Sequence, residues 1–339
     1  MTFLFRKKPP ERILFISSTT SSEDNEDTLD YFSSIISELA FKIQRVYPDY
    51  EFVLKVPEGG GEAAADQQIQ FIHTAIHADP QYKCIIVSPV DRKRIYEQSK
   101  AWIPKYDRLI FVDQGFPLED YKRFHADGIP RPPYVQANWL QGGEVAGRSM
   151  RKLMEKRNVK CPYIVMIEGL VGAPQRIEGF QKALKQSDIP GFKPGGPDPL
   201  KGRYTKKSAL GVFEPFLNEC INEKQAIHGV FATNDEMALG VRDALVQHKD
   251  RYRQAFAVPG EDFYLPAVIG FDGIKDLTFH IDNNDEFIYD TVNVRLKAQI
   301  ERLAYIIEMT ISGIEITDED EKFVHMSCIS YRELKNMGV

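Results

Sequence analysis

Four polar side chains stand where apolar, strand-like runs of the sequence end. Ser88 follows CIIV, Asp113 follows LIFV, Asn234 follows GVFAT and Asp272 follows AVIGF. In an open α/β sheet the carboxyl ends of the strands meet at one edge, and ligands bind there. Hydroxyl, amide and carboxylate groups all form hydrogen bonds, so four of them at such edges predict a site for a small polar ligand. Helix capping would be enough to explain any one of them alone.

Both explanations, a ligand site and a helix cap, apply to the stretch GVFATNDEMALGVRDAL, residues 229–245. Its first half is an apolar strand, and the apolar residues of its second half recur at helical spacing. Thr233, Asn234 and Asp235 lie between the two halves. Asn and Asp both accept hydrogen bonds from the free N–H groups of a first helical turn, and we expect Asp235 to be the residue that caps the helix.

The sequence lacks the residue patterns that are typical of catalysis. The seven histidines are scattered, and neither an HExxH nor a GxSxG motif is present. Residues 59–61 are glycines without the following Lys-Ser/Thr of a phosphate-binding loop, and residues 282–286 lack the glycine of an EF-hand loop. His73 and His77 lie four residues apart on a predicted helix, where a solvated face explains them better than a metal site does. We therefore expect no catalytic residues, no cofactor and no metal.

A regular alternation of strands and helices must position the polar strand ends. Short apolar runs alternate with helical repeats in residues 13–113 and again in residues 134–294. The polar, proline-rich residues 114–133 separate the two series, and a last helix is predicted over residues 296–311. Strands that alternate with helices form parallel sheets with helices on both faces. The sequence therefore predicts an α/β fold with two lobes, each built on a parallel sheet.

The composition of the chain limits its partners. The 339 residues are enough for two domains with complete cores, and 43% hydrophobic and 27% charged residues are ordinary values for a globular protein. The formal net charge of −6 argues against a nucleic-acid surface, which would be basic. Four cysteines lie far apart, and Cys84, inside an apolar run, is expected to be a buried free thiol.

The sequence contains no segment that indicates membrane insertion. The first residues, MTFLFRKKPP, lack the apolar core of about 7–15 residues that a secretory signal needs. A run of about 18 apolar residues, the length of a membrane helix, is also missing. We expect a cytoplasmic location, or a periplasmic one if a native signal peptide has been removed from the chain.

Six motifs in a fixed order carry a resemblance to a known family. They are IIVSPVD (residues 85–91), IFVDQ (110–114), QANWLQGGEVAG (136–147), GLVGAPQRIEGFQKAL (169–184), GVFATNDEMALG (229–240) and VIGFDG (268–273). With these motifs the chain resembles the type I periplasmic-binding-protein family, in particular its ribose-binding group. This group shares its fold with the effector domains of lactose-repressor-type regulators.

The resemblance implies two Rossmann-like lobes that are joined by a hinge of three crossovers and that close around a ligand in the cleft between them. The N-terminal lobe would comprise residues 11–137 and 295–325. The C-terminal lobe would comprise residues 138–294 and 326–339, and residues 1–10 would form an extension.

The resemblance also implies which polar residues contact the ligand. Asp113 matches the family's Asp at the end of the fourth strand, Asn234 the Asn of its NDEMA segment, and Asp272 the Asp of its FDG turn. A buried sugar hydroxyl is costly unless it is hydrogen-bonded, and carboxylates and amides supply the required partners. All three residues are therefore expected in the site.

Three aromatic residues match positions at which the family presents rings to the sugar. Tyr204 is one, and its alternative role is that of a surface tyrosine at a helix start. Tyr31 and Phe32 lie where the first helix presents stacking aromatics, although Phe32 also fits the apolar stripe of that helix.

Further positions depart from the family pattern. Gln114, a further candidate for ligand contact, stands where an Arg often follows the strand-end Asp. The family commonly has two arginines, two residues apart, in the helix that ends in GF. Here Pro174 occupies the first of these positions and Arg176 the second, so Arg176 either reaches the ligand or is structural. At the last hinge strand Val294 replaces the usual Gln, which makes the neighbouring Asn293 a candidate. These changes suggest a ligand other than ribose.

The sequence thus predicts a binding protein, not an enzyme, for a monosaccharide or a polyol, acting in transport or signalling. Its partner would be a membrane permease of the ABC type or a signalling protein. The alternatives are a cytosolic ligand-sensing domain that acts on a partner protein, and an enzyme that uses Asp113 and Asp272. Only twelve residues precede Ile13, which leaves no room for a DNA-binding domain there, so direct nucleic-acid binding is not expected.

Overall fold

The computed structural model describes most of the chain: residues 11–17, 37–58, 61–78, 82–102, 108–113, 126–127, 132–169, 173–187, 191–260, 262–316 and 323–338. The predictions for Tyr31, Phe32, Gln114 and the extension 1–10 lie outside these residues.

The described residues belong to two compact units. Unit 1 lies within Met1–Gln136 and Leu296–Met326, and unit 2 within Ala137–Arg295 and Ser327–Val339. The chain therefore passes from one unit to the other three times, and each unit is built from segments that are distant in the sequence.

Unit 1 is built on one six-stranded sheet. Its strands are β1 (Glu11–Ile16), β2 (Tyr50–Lys55), β3 (Cys84–Val87), β4 (Leu109–Val112), β5 (Tyr134–Ala137) and β11 (Phe323–Met326). Its described helices are α1 (residues 37–46), α2 (Gly61–Ile76), α3 (Arg92–Trp102) and α10 (Leu296–Ile311). The strand order is β11-β5-β4-β3-β1-β2, and the strands from β2 to β5 pair in parallel.

The apolar runs of unit 1 become strands because both faces of the sheet are covered. All residues of β3 and β4 are buried, as expected for a parallel sheet between two helical layers. Along β1, Leu14 packs in one core cluster with Ile72 of α2. Its neighbour Phe15 points to the opposite face and packs in a second cluster with Leu303 of α10.

Unit 2 is built on a second six-stranded sheet. Its strands are β6 (Ile164–Glu168), β7 (Leu200–Lys201), β8 (Gly229–Ala232), β9 (Ala267–Asp272), β10 (Ile288–Asn293) and β12 (Ile329–Ser330). Its described helices are α4 (Trp139–Lys156), α5 (Ala173–Lys185), α6 (Lys206–Glu223), α7 (Asp235–Gln247), α8 (Lys249–Phe256), α9 (Lys275–Asp282) and α11 (Tyr331–Asn336). The order is β12-β10-β9-β8-β6-β7, parallel except for β12, which pairs antiparallel to β10.

Helices α4 and α5 approach each other so closely that glycine is required at their contact. A Cβ atom on Gly143 of α4 would lie 2.0 Å from the carbonyl oxygen of Arg176. A Cβ atom on Gly179 of α5 would lie 2.0 Å from the carbonyl oxygen of Leu140. Side chains cannot be inserted at such distances without moving a helix. This packing fixes the position of Arg176 relative to α4.

The last described segment returns to unit 2 and is tied there by side chains. The Gln141 amide of α4 accepts a hydrogen bond from the Cys328 N–H (2.7 Å) and donates one to the Cys328 carbonyl (3.1 Å). The buried Asp290 carboxylate accepts bonds from the hydroxyls of Ser149 (2.6 Å) and Ser330 (2.7 Å). These contacts anchor β12 beside β10.

The fold class predicted from the sequence is confirmed: two parallel α/β sheets carry helices between their strands. The expected buried thiol at Cys84 is also confirmed, and burial raises the pKa of that thiol far above its usual value. The sequence patterns do not predict β7, β11, β12, α8, α9 or α11. These strands have two to four residues and these helices six to eight, too few to show a clear periodicity.

No helix in the described residues combines the length and the apolar composition that a membrane crossing requires.

Candidate functional site

The carboxyl edge of the unit 2 sheet brings together most of the predicted site residues. Strands β6, β8, β9 and β10 end there at Glu168, Ala232, Asp272 and Asn293. Asp272 has a φ of 119°, a backbone conformation that is rare for residues with a side chain and that often marks functional sites. Its side chain is 21% exposed, so the carboxylate remains accessible at this edge.

Arg176 of α5 is the partner of Asp272. Its Nη1 atom lies 3.5 Å from Asp272 Oδ1 and also donates a hydrogen bond to the Thr233 carbonyl. The guanidinium carbon lies 4.1 Å from the ring centroid of Phe271 and 5.7 Å from that of Trp139. Aromatic faces stabilise a cation at such distances. Arg176 is thus held in place by a carbonyl and two rings, and it presents its charge to Asp272.

Trp139 and Phe271 are site residues that the sequence analysis missed. Both are buried, and both are apolar residues in apolar surroundings, so they are not distinguished from core residues by type or spacing. Trp139 follows Asn138, whose side chain accepts a bond from Gln141 N and caps α4. An aromatic at the first turn of a helix that begins at a strand end is the signal that would have indicated this position.

Asn234 is the cap of α7, and the prediction that Asp235 has this role is wrong. The Asn234 Oδ1 atom accepts a hydrogen bond from Met237 N at 3.0 Å, and its Nδ2 atom donates one to the Tyr204 carbonyl at 3.1 Å. The helix begins at Asp235, so the residue with extended backbone just before it, Asn234, occupies the cap position. Its contact with a ligand stays a prediction.

Asp235 is instead a fully buried carboxylate beneath the edge, with 0% exposure. Its Oδ2 atom accepts hydrogen bonds from Gly273 N (2.7 Å) and Ile274 N (2.8 Å), and its Oδ1 atom accepts one from the Thr291 hydroxyl (2.6 Å). Burial raises the pKa of Asp235 to about 6, although these hydrogen bonds favour the ionised form. The carboxylate connects α7 to the turn after β9 and to β10.

Tyr204 lies at the same edge, half-buried and with a φ of 64°. Its ring covers Gly169 so closely that a Cβ atom at Gly169 would lie 2.0 Å from a ring carbon. The Gly169 N–H donates to the Thr233 hydroxyl (2.9 Å), so the end of β6 is joined to the end of β8. Tyr204 is therefore a packed residue of the edge, and its predicted stacking on a ligand stays a prediction.

Asn293 ends β10 directly beside Asp272, its register partner on β9. Its Oδ1 atom accepts a hydrogen bond from Arg295 N at 2.7 Å. The side chain is partly exposed, which leaves an amide next to the Arg176–Asp272 pair.

Asp113 occupies the corresponding place in unit 1. It follows β4, has a φ of 66° and is partly exposed, and its N–H donates to the Val135 carbonyl at 2.9 Å. The neighbouring strand ends are held by Gln68 of α2, which is completely buried. Its Nε2 atom donates to the carbonyls of Ser17 (2.9 Å) and Ser88 (2.8 Å), and its Oε1 atom accepts from Val90 N (2.8 Å).

The structure thus places the predicted residues at two sheet edges. Those at the edge of unit 2 are Arg176, Tyr204, Asn234, Asp272 and Asn293, and Asp113 lies at the edge of unit 1. Within the described ranges no three His, Cys, Asp or Glu side chains are arranged to hold a metal ion. The rings of His73 and His77 contact each other with 4.7 Å between their centroids and an angle of 60° between their planes.

Solved structures with a similar fold cover nearly the whole chain. A periplasmic solute-binding protein of an ABC transporter from Actinobacillus succinogenes 130z, with bound D-allose, is 19% identical, with a TM-score of 0.70 over 97% of this chain and 100% of that one. One from Bacillus halodurans C-125, with bound myo-inositol, is 17% identical, with a TM-score of 0.69 over 97% and 98%. One from Agrobacterium vitis, with bound D-fucose, is 17% identical, with a TM-score of 0.68 over 96% and 99%.

A curated relative matches a smaller part of the chain. The HTH-type transcriptional repressor PurR of Mannheimia succiniciproducens is 29% identical over 155 residues. The match spans 44% of this chain and 39% of the length of the repressor.

The sequence model of one family covers more than half of the chain. It is described as the periplasmic binding protein domain and matches residues 42–283, a range that includes all six motifs. The family resemblance is therefore confirmed. On this match and on the agreement in fold, the protein belongs to the periplasmic binding protein domain family.

Proposed function

We propose that this protein binds a small polyhydroxylated ligand, a monosaccharide or a polyol, at the carboxyl edges of its sheets. The observation that carries the proposal is the Arg176–Asp272 pair beside the Trp139 and Phe271 rings. The guanidinium donates hydrogen bonds and the carboxylate accepts them, so together they match a hydroxyl group, which does both.

The neighbouring residues add to this capacity. Asn293 brings an amide, a donor and an acceptor, next to Asp272. Tyr204, which is half-buried, brings apolar ring surface to the same edge, which suits the C–H faces of a sugar or an inositol. The bound D-allose, myo-inositol and D-fucose of the similar solved proteins belong to this class of ligand.

We propose binding without chemical conversion. Family membership supports a solute-binding role. The Asp272 carboxylate is engaged by a guanidinium that is itself fixed by Thr233, an arrangement suited to recognition. Closure of the two units around the ligand follows from the family resemblance and stays a prediction.

A thermal-shift screen tests the proposal. The wild-type chain, Asp272→Ala and the matched control Asp276→Ala, an exposed residue near the same turn, are heated with D-allose, D-fucose, D-ribose, myo-inositol and glycerol. A compound at 100 times its Kd should stabilise the wild type and the control by about 2.7 kcal/mol. The same compound should leave the melting temperature of Asp272→Ala unchanged.

Two results would contradict this function: a wild-type melting temperature that no compound raises, or an equal increase in the Asp272→Ala variant. A one-dimensional NMR spectrum of the bound compound, recorded before and after overnight incubation, separates binding from catalysis. We expect no change in the ligand signals.

The likeness to a PurR repressor supports a second candidate function, which would depend on the same ligand binding. In that case ligand binding would regulate a partner protein and would not deliver the ligand to a permease. Cell fractionation of the native protein distinguishes the two, since a transport receptor works outside the cytoplasm and a regulator of this kind inside it.

A further inference from the structure

Asp235 is a completely buried ionisable residue beneath the carboxyl edge of the unit 2 sheet. It lies at the start of α7, and its hydrogen bonds reach two other elements of unit 2. Gly273 N and Ile274 N belong to the turn that follows β9, and the Thr291 hydroxyl belongs to β10. The Asp235 side chain thus connects helix α7 with the turn after β9 and with strand β10, beneath the carboxyl edge of the sheet.

The turn that Asp235 holds is the one that presents Asp272. Asp272 and Gly273 have φ values of 119° and 77°, a pair of conformations that the chain does not adopt without support. The N–H groups of Gly273 and Ile274 donate hydrogen bonds to Asp235 Oδ2, at 2.7 and 2.8 Å. A Cβ atom at Gly270 would lie 2.1 Å from Asp235 Oδ1, so β9 passes directly against the carboxylate.

We propose that Asp235 is a positioning residue for ligand recognition, whose negative charge holds the turn after β9 so that Asp272 meets Arg176 and the ligand. This inference rests on the function proposed above. Asp235 does not touch the ligand; it acts through Asp272.

The charge of Asp235 is unfavourable for stability, which indicates that it serves another purpose. Burial raises its pKa to about 6, so at neutral pH the fold holds an ionised group that it would hold more easily in the neutral form. Hydrogen bonds to an ionised acceptor are about twice as strong as neutral ones, so the charge tightens the turn. A neutral residue of the same shape would give a more stable protein with a looser turn.

The groups around the carboxylate are uncharged hydrogen-bond donors. The charged residues next to them along the chain are Glu236 on α7, Asp272 on β9, Lys275 on α9 and Asp290 on β10. Arg176 of α5 reaches the carbonyl of Thr233, two residues before Asp235. A pH dependence of ligand binding near pH 6 can therefore be assigned to Asp235 only if it disappears when Asp235 alone is changed.

The decisive variant is Asp235→Asn. The amide oxygen of the new asparagine can still accept hydrogen bonds from Gly273 N and Ile274 N. The negative charge is lost, and an NH2 group, a donor, replaces the carboxylate oxygen that faces Thr291. Asp276→Asn is the matched control, because it removes one negative charge from an exposed residue of the neighbouring helix α9.

Affinity is measured by calorimetry at pH 7.5 and pH 5.0 with whichever of D-allose, D-fucose and myo-inositol shifts the wild type most. For Asp235→Asn we expect a Kd raised at least threefold at pH 7.5, with a melting temperature equal to or above that of the wild type. The wild-type Kd should rise by a similar factor at pH 5.0, whereas the Kd of Asp235→Asn should show no such rise. Asp276→Asn should match the wild type at both pH values.

Hydrogen exchange of the peptide that contains Gly273 and Ile274 provides a readout that needs no ligand. At pH 7.5 we expect exchange at these two amides to be at least fivefold faster in Asp235→Asn than in the wild type and in Asp276→Asn.

The two readouts separate the inference from the proposed function. If none of the three compounds binds the wild type, the proposed function fails for this panel, and the exchange result decides whether Asp235 holds the turn. Unchanged exchange overturns the inference. A parallel loss of affinity and melting temperature in Asp235→Asn also overturns it, since that result would show a structural role only.

Discussion

In each unit a buried side chain forms several hydrogen bonds at the carboxyl edge of the sheet, but the two side chains differ in charge. In unit 1 the amide of Gln68 bridges the strand ends by donating to two carbonyls and accepting from one N–H. In unit 2 the carboxylate of Asp235 accepts from two N–H groups and one hydroxyl. Both side chains are completely buried.

The difference follows from the groups that each of the two side chains contacts. Two carbonyls and an N–H require a side chain that both donates and accepts, and the glutamine amide does so without charge. Three donors require acceptors only, which a carboxylate provides at the cost of burying its charge. Unit 1 is therefore held by a group that does not titrate, and unit 2 by one that titrates close to neutrality.

The largest effect is expected from Gln68→Leu. The change removes three hydrogen bonds, to the buried carbonyls of Ser17 and Ser88 and to the partly buried N–H of Val90, which should lower the free energy of unfolding by roughly 3–6 kcal/mol. Urea unfolding monitored by fluorescence measures this, and the loss should be the same at pH 5 and pH 8. Gln70→Leu, on the exposed face of α2, is the control and should stay within about 0.5 kcal/mol of the wild type. Equal stabilities of the two variants would rule out the bridging role of Gln68.

A smaller effect with a distinct pH profile is expected from Asp235→Asn. The folded protein binds a proton at Asp235 at about pH 6, whereas the unfolded chain binds it only near 3.8. Protonation therefore favours the folded wild type at low pH, and this contribution is lost as the pH rises to 6. The variant should gain about 2 kcal/mol of unfolding free energy relative to the wild type between pH 4 and pH 7.

Urea unfolding at several pH values measures this difference between variant and wild type. A difference that stays constant from pH 4 to pH 7 would show that Asp235 does not titrate in this range.

The smallest effect is expected from Thr291→Val, which removes one of the donors to Asp235. The loss of this hydrogen bond should lower the free energy of unfolding by about 1 kcal/mol. Because the bond favours the ionised carboxylate, its removal should also raise the pKa of Asp235 further. The pH profile of wild-type stability should then shift to higher pH in the variant, while Thr291→Ser, which keeps the hydroxyl, should restore it. An unshifted midpoint in Thr291→Val would argue against the hydroxyl as a determinant of that pKa.

Most strands and long helices could be predicted from the sequence, because they depend on local patterns. The run CIIV becomes β3 and the helical repeat over residues 296–311 becomes α10, as expected. The edge position of Asp113 and Asp272 could also be predicted, since it follows from the rule that strand ends of a parallel sheet meet. The pairing of Arg176 with Asp272 could not, because it depends on how closely α4 and α5 pack.

The residues that support the site were missed for a different reason. Gln68 and Asp235 bond to backbone groups of distant segments, and nothing in their local sequence shows which groups those are. One signal was available: Gln68 lies in the apolar stripe of α2, between Ala64 and Ile72, where a polar residue has to find partners inside the core. For Asp235 the local sequence suggested a cap, and the structure places Asn234 there.

The return of the last segment to unit 2 has a consequence for synthesis of the protein in the cell. Strand β12 completes the unit 2 sheet, but Leu296–Met326 of unit 1 are translated before it. At about 5–20 residues per second this delay is about 2–6 seconds. During this time β10 is an uncovered sheet edge, a surface on which other chains can pair. A nascent chain that has left the ribosome only as far as Leu296–Met326 should therefore recruit chaperones more strongly than one whose Ser330 has also emerged.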